Sequence, residues 1–125
     1  MGKLEKYHES HLPVWAAGNA YLAGARPWKH ETHKLISEDA PITVELVEQD
    51  GAYRLRTNLF DALGDFRCGM IHTGILGKAF EPDERYENPD GSPITFDRDY
   101  FGNTRGVAPL PGPFASPESL KEALW

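Results

Sequence analysis

Apolar and polar side chains alternate through residues 42–59, on both sides of a central Asp50–Gly51 pair. Alternation of this kind is typical of a β-strand with one buried face, and Asp-Gly is a favoured pair for a two-residue type I′ turn. The pattern predicts a hairpin in one register, which would bury the face carrying Leu46 and Leu55. The predicted pairs on that face are Ile42 with Leu59, Val44 with Thr57, Leu46 with Leu55, and Glu48 with Tyr53.

Two further segments have periodic apolar residues. Apolar positions spaced three and four apart after Pro13 predict an N-terminal helix that ends at Gly24. Residues 66–76 would be apolar on both faces of an extended chain, which predicts a central strand covered on two sides. His72 would then point inward.

Turn-forming residues indicate how the remaining chain is organised. Asn88-Pro89-Asp90-Gly91 is typical of a type I turn with a glycine bulge and predicts a second hairpin between 85–87 and 94–96. The proline- and glycine-rich chain after Tyr100 is expected to wrap around the outside. Ser116 as N-cap and Pro117 at the first helical position predict a short C-terminal helix.

These elements together predict a mainly β domain, with a minor α component, that spans residues 1–125. Residues 1–40 would form the helix and a connector, 41–101 an antiparallel sheet, and 102–125 the proline- and glycine-rich wrap with the short helix. The sheet is expected to curl into a small antiparallel barrel or a sandwich, because such a sheet must cover one apolar face. Barrels of this size often leave room for one small ligand.

Charge and cysteine content narrow the possible partners. Thirteen basic and nineteen acidic side chains give a net charge of -6, which argues against a nucleic-acid partner. The single cysteine, Cys68, and the charged amino terminus without an apolar signal segment favour a cytoplasmic setting. No apolar run approaches the roughly 20 residues that span a bilayer, so no membrane segment is expected.

The inward placement predicted for His72 makes it the main catalytic candidate. An imidazole on an apolar face can serve as an acid or base near neutral pH if a carboxylate lies close by. Glu48 and Asp97 are the candidate carboxylates, with Asp61 as a further alternative. The candidate substrate-binding residues are Tyr53, Arg67, Tyr100 and Trp28.

His30 and His33 form the one candidate metal pair. Their spacing would let both imidazoles face one ion on a helical turn, although it differs from the His-Glu-x-x-His pattern of zinc proteases. A solvated loop with ordinary histidines is the other interpretation. We therefore expect no cofactor, with a divalent metal ion as the alternative.

Three functions are compatible with these residues. The first is a small-molecule enzyme without an organic cofactor that performs proton transfer, as an isomerase, lyase or hydrolase, in an aromatic-lined pocket. The second is a non-catalytic ligand-binding β-module. The third is an accessory subunit whose C-terminal patch of Leu120, Leu124 and Trp125 docks on a larger partner or on a second copy.

Overall fold

The computed structural model describes residues 15–79 and 81–125. Of the described residues, 25% are in strands or bridges and 13% are helical, so strand outweighs helix and more than half are irregular. None of the helices in the described part of the chain is long and apolar enough to cross a bilayer. The elements are β1 (Ala20–Leu22), β2 (Leu35–Ser37), β3 (Val44–Gln49), β4 (Ala52–Thr57), α1 (Leu59–Leu63), α2 (Thr73–Leu76) and a 3₁₀ helix (Pro117–Lys121).

The β3–β4 hairpin confirms the predicted register. Val44 pairs with Thr57, Leu46 with Leu55 and Glu48 with Tyr53 in an antiparallel ladder. Asp50 and Gly51 have φ angles of 54° and 78°, and a type I′ turn requires positive φ at both of these positions. The predicted pair between Ile42 and Leu59 is absent from the ladder because Leu59 begins α1.

The predicted N-terminal helix is wrong where the structure describes this segment. Residues 20–22 form β1, which pairs in parallel with β2 at residues 35–37. Gly18 shows why a helix does not form: its φ is +74°, and a β-carbon there would lie 2.5 Å from Cβ of Cys68. Pro13, at the predicted start of the helix, lies outside the described residues.

The predicted central strand at residues 66–76 is also wrong. Its first part is irregular, and residues 73–76 form α2. His72 is the N-cap residue of that helix, and its Nδ1 accepts a hydrogen bond from the Gly74 backbone N–H at 3.1 Å. The residue is exposed, so its predicted inward placement is corrected.

The second predicted turn is confirmed. The Asn88 backbone N–H donates to Ser92 O, the Gly91 N–H donates to Asn88 O, and Gly91 has a φ of 85°. An isolated antiparallel bridge between Glu87 and Pro93 follows. The flanking segments form bridges instead of full strands, since proline at position 93 has no N–H to continue a ladder.

The core is small, and the described residues do not form a closed barrel. Their strands form two separate two-stranded sheets. Leu63 and Phe114 are the buried apolar residues of the described chain. Val44 and Leu46 are 60% and 53% exposed, so the prediction that the whole apolar face of the hairpin is buried is wrong for β3. On this face of the hairpin, the side chains of β4 are covered instead.

The C-terminal segment provides that cover. The 3₁₀ helix begins at Pro117 after Ser116, which confirms the predicted short helix and its start. Beyond it, the Tyr53 N–H donates to Trp125 O at 3.1 Å and the Leu124 N–H donates to Tyr53 O at 2.7 Å. These two bonds attach the last residues to the outer edge of β4.

Candidate ligand-binding surface

An apolar cleft lies between β1, β4, α1 and residues 111–114. Its volume is about 330 Å³, near the lower end of the range for small-molecule sites. Leu63 and Phe114, the buried apolar pair, both line it. The remaining lining residues are Asn19, Ala20, Leu22, Leu55, Thr57, Leu59, Phe60, Pro111, Gly112 and Pro113.

Strand alternation in β4 explains which side chains reach the cleft. Residues 53, 55 and 57 share one face of the strand because successive side chains point to opposite sides. Leu55 and Thr57 line the cleft. Tyr53, on the same face, instead packs against Trp125 with ring centroids 5.0 Å apart and an interplanar angle of 28°.

The half-buried Tyr53 and the exposed Tyr100 and Trp125 meet at residues 124–125, and we call these three rings the aromatic platform. Trp125 and Tyr100 are 65% and 57% exposed, although both belong to large apolar side-chain types. The Tyr100 hydroxyl donates to Leu124 O at 3.0 Å, which brings its ring beside the segment that carries Trp125. The rings of Tyr100 and Trp125 are therefore both exposed beside residues 124–125.

The aromatic platform continues into the cleft. Phe114 lines the cleft and also contacts Tyr100 edge-on, with centroids 6.3 Å apart. The Tyr100 N–H donates to Pro113 O at 2.7 Å, so the backbone beside the cleft is joined directly to the platform. Phe114 therefore links the cleft to Tyr100, one of the three rings of the platform.

Asp99 holds this surface together. Its carboxylate is 9% exposed and accepts hydrogen bonds from donors at both ends of the C-terminal segment. Burial alone raises the pKa of Asp99, but these hydrogen bonds outweigh burial and keep that pKa below its ordinary value of 3.8. The donors are Phe101 N, Asn103 N and Nδ2, Ala115 N and Ser119 Oγ.

A second buried carboxylate, Glu31, fastens the connector to β1. Its Oε1 accepts from Asn19 Nδ2 at 2.7 Å, and its Oε2 accepts from the Tyr21 hydroxyl. Burial raises the pKa of Glu31, yet the bonds from Tyr21 and Asn19 together hold it below the ordinary 4.5. The hydrogen bond to Glu31 also raises the pKa of the Tyr21 phenol.

The three candidate catalytic residues do not share one enclosed pocket. His72 is exposed and forms an isolated antiparallel bridge with Thr95, two residues before Asp97. This bridge brings the segments of His72 and Asp97 side by side. Glu48 is exposed next to the turn of the β3–β4 hairpin. The cleft is lined by none of the three.

Two of the four candidate substrate-binding residues come together. Tyr53 and Tyr100 both contact the segment 124–125 and belong to the aromatic platform. Arg67 instead donates to Gly64 O and Phe66 O of its own loop. Trp28 packs edge-on against His30, with centroids 5.0 Å apart.

His30 and His33 are engaged separately. His33 Nε2 lies 2.6 Å from Arg67 O, and its ring stacks on Phe66. His30 contacts Trp28. Over residues 15–79 and 81–125, no three His, Cys, Asp or Glu side chains are grouped so that they could hold a metal ion.

Asp99, Glu31 and Phe114 are the important residues that sequence reasoning did not select. The local sequence does indicate one part of the role of Asp99. An Asp followed by Gly102 and Asn103 is typical of a turn that the Asp side chain stabilises. Its bonds to Ala115 and Ser119 span 16 and 20 residues and have no sequence pattern.

Fold and surface together define a small β-rich domain with an apolar cleft and an exposed aromatic platform. No protein-family model matches the chain, and no curated protein matches it. A solved structure described as the complex structure of XylC with xylose is similar, with a TM-score of 0.73 and 23% sequence identity. The similarity covers 91% of this chain and 19% of that chain, so this chain corresponds to about a fifth of XylC in length. At this identity the similarity shows the fold alone.

Proposed function

We propose that this chain is a small-molecule-binding β-module whose aromatic platform and adjoining cleft bind a neutral sugar, in the first instance a pentose. The observation that carries the proposal is the exposure of Trp125 and Tyr100. Both rings are held in place by backbone contacts with β4 and the C-terminal segment.

The chemistry of the surface supports a sugar. A pyranose has a C–H face that packs on an aromatic ring and hydroxyl edges that remain hydrated or bond to polar groups. The platform offers the rings, and Asn19 and Thr57 are polar residues that line the cleft. Such a shallow surface favours weak binding, with a dissociation constant of about 1 mM.

The structural comparison suggests which sugar to test first. The similar structure holds XylC in complex with xylose, and this chain corresponds in fold to part of that protein. Xylose and short xylose oligomers are therefore the first probes. A larger protein that contains this module, as in the accessory-subunit hypothesis, is compatible with the same role.

Binding is tested by adding xylose and xylotriose to the protein while following tryptophan fluorescence and amide NMR shifts. Trp125→Ala and Tyr100→Ala should each weaken binding roughly tenfold or more, because each removes a stacking ring. Tyr86→Ala is the matched control, since Tyr86 is also exposed (39%) and lies outside the platform. Equal affinity in all three variants would exclude the platform as the site.

Proton-transfer chemistry is the second candidate function. The bridge between His72 and Thr95 favours it, because Asp97 follows two residues later on the facing segment. His72 Nδ1 accepts from Gly74 N, which leaves Nε2 for a substrate. Under this hypothesis His72→Ala abolishes turnover of a sugar substrate and leaves binding intact. Under the module hypothesis it changes neither.

The proposal includes no cofactor, with a divalent ion as the alternative, and a cytoplasmic setting. The free thiol of Cys68 is compatible with a reducing compartment.

A further inference from the structure

The outer edge of β3 presents unpaired backbone groups. In a hairpin with a two-residue turn, residues 49 and 52 exchange hydrogen bonds, so alternate residues along each strand point their N–H and C=O outward. On β4 this outward set includes Tyr53, which bonds Leu124 and Trp125. On β3 the outward set is Val44, Leu46 and Glu48, which we call the β3 edge. These groups have no backbone partner among the described residues.

Two of the three side chains at the β3 edge, those of Val44 and Leu46, are apolar and exposed. Val44 is 60% exposed and Leu46 is 53% exposed, while their β4 partners Thr57 and Leu55 line the cleft. An exposed edge strand with apolar side chains is a template for pairing with another strand. Outward backbone groups and exposed apolar side chains therefore coincide at Val44 and Leu46.

We propose that the β3 edge pairs with the β3 edge of a second copy of this chain, antiparallel and with Leu46 opposite Leu46. Residues with outward N–H and C=O groups then face each other across a two-fold axis. The two hairpins join into one four-stranded sheet in the order β4, β3, β3, β4. The exposed faces of Val44 and Leu46 from both copies become continuous.

The charges of β3 select this register. With Leu46 opposite Leu46, Glu48 faces Val44 and Glu45 faces Val47, so no two carboxylates are directly opposed. Sliding the copies by two residues in one direction places Glu45 opposite Glu45, which is unfavourable. Sliding them by two in the other direction places Val44 opposite Asp50 of the turn, so only Leu46 and Glu48 of the β3 edge keep a strand partner.

The oligomeric state tests the proposal. Light scattering after size exclusion and sedimentation equilibrium should show a concentration-dependent dimer at concentrations up to about 1 mM. Leu46→Lys places two ammonium groups across the axis and should weaken the dimer roughly tenfold or more. Ile36→Lys is the control, since it introduces the same charge at another exposed apolar residue (44%) and should leave the dimer unchanged. A monomer at every concentration, or equal effects of the two lysines, would overturn the proposal.

Cross-linking tests the register. In a Cys68→Ala background, Leu46→Cys should form a symmetric disulfide on mild oxidation. Directly opposed hydrogen-bonded residues have Cα atoms about 5.5 Å apart, a separation that a disulfide spans. Val47→Cys is the matched control and should remain reduced. Cross-linking of Val47→Cys in place of Leu46→Cys would refute the register, and unchanged thermal midpoints would show that both variants fold.

Discussion

The β3–β4 hairpin and the C-terminal segment (residues 97–125) obtain their order in different ways. The hairpin is a regular ladder whose register follows from side-chain alternation and a two-residue turn. The C-terminal segment is mostly irregular and converges on one buried carboxylate, that of Asp99. Hydrogen bonds in the hairpin are therefore distributed along the ladder, whereas in the C-terminal segment five of them converge on the Asp99 side chain.

Of the substitutions in these two regions, Asp99→Ala should lower the free energy of unfolding the most. The change leaves the N–H groups of Phe101, Asn103 and Ala115 without their acceptor, and we expect a loss of about 4 kcal/mol in the free energy of unfolding. Denaturant unfolding measures this loss in free energy. Hydrogen exchange should localise the opening to residues 97–125 and leave the hairpin protected.

Asp90→Ala is the matched control. Its carboxylate also accepts hydrogen bonds, from Ser92 N and Oγ, but in an exposed turn. Its removal should cost at most about 1 kcal/mol. Equal losses for both variants would show that the C-terminal segment does not depend on Asp99.

Lowering the pH should remove the stability contributed by the two buried carboxylates, Asp99 and Glu31. The folded-state pKa values of Asp99 and Glu31 lie below their ordinary 3.8 and 4.5. The stability that each contributes is therefore present above its ordinary pKa and is lost as the pH falls through its folded-state pKa. Denaturation midpoints should fall below about pH 4.5, and Asp99→Asn should have lower stability at neutral pH and a shallower acid dependence. An unchanged slope in that variant would contradict the assignment.

The two strands of the hairpin should respond unequally to truncation on their shared apolar face. Leu55 lines the cleft, so Leu55→Ala should cost about 1.5–2 kcal/mol of unfolding free energy. Its ladder partner Leu46 is 53% exposed, and Leu46→Ala in the monomer should cost about 0.5 kcal/mol. Urea unfolding at low protein concentration separates these values. Equal costs would mean that the β3 face is covered in solution.

Gly51→Ala should have a small effect on the stability of the hairpin. Gly51 has a φ of +78°, and no atom lies within 4 Å of the position its β-carbon would take. Backbone strain without a clash should cost about 1 kcal/mol. Gly18→Ala has the same type of strain plus a clash with Cys68, so its thermal midpoint should fall further.

The same contrast explains what the sequence could predict. The hairpin register is encoded locally, in the alternation of residues 42–59 and in Asp50–Gly51, and it was confirmed. The short C-terminal helix was also predictable, because Ser116 and Pro117 are local start signals. Both elements depend on neighbours in sequence.

The errors arose where distant contacts decide the structure. The apolar spacing before Leu22 suits a helix, yet close packing of Gly18 on Cys68 and parallel pairing with β2 give a strand. For the candidate site, aromatic density selected Tyr53 and Tyr100, and both lie on the platform. Their convergence on residues 124–125, and the part played by Asp99, required the folded chain.

The two backbone bonds from Leu124 and Trp125 to Tyr53 limit how far a sheet can grow. They occupy the outer side of β4 at Tyr53, so in the proposed dimer strand addition at β3 would end with two copies. Deleting the last two residues would leave a hairpin that can accept a strand on both sides. Repeated addition at two free sides has no closing step and produces filaments. In the proposed dimer, residues 124–125 would therefore prevent further strands from adding at β4.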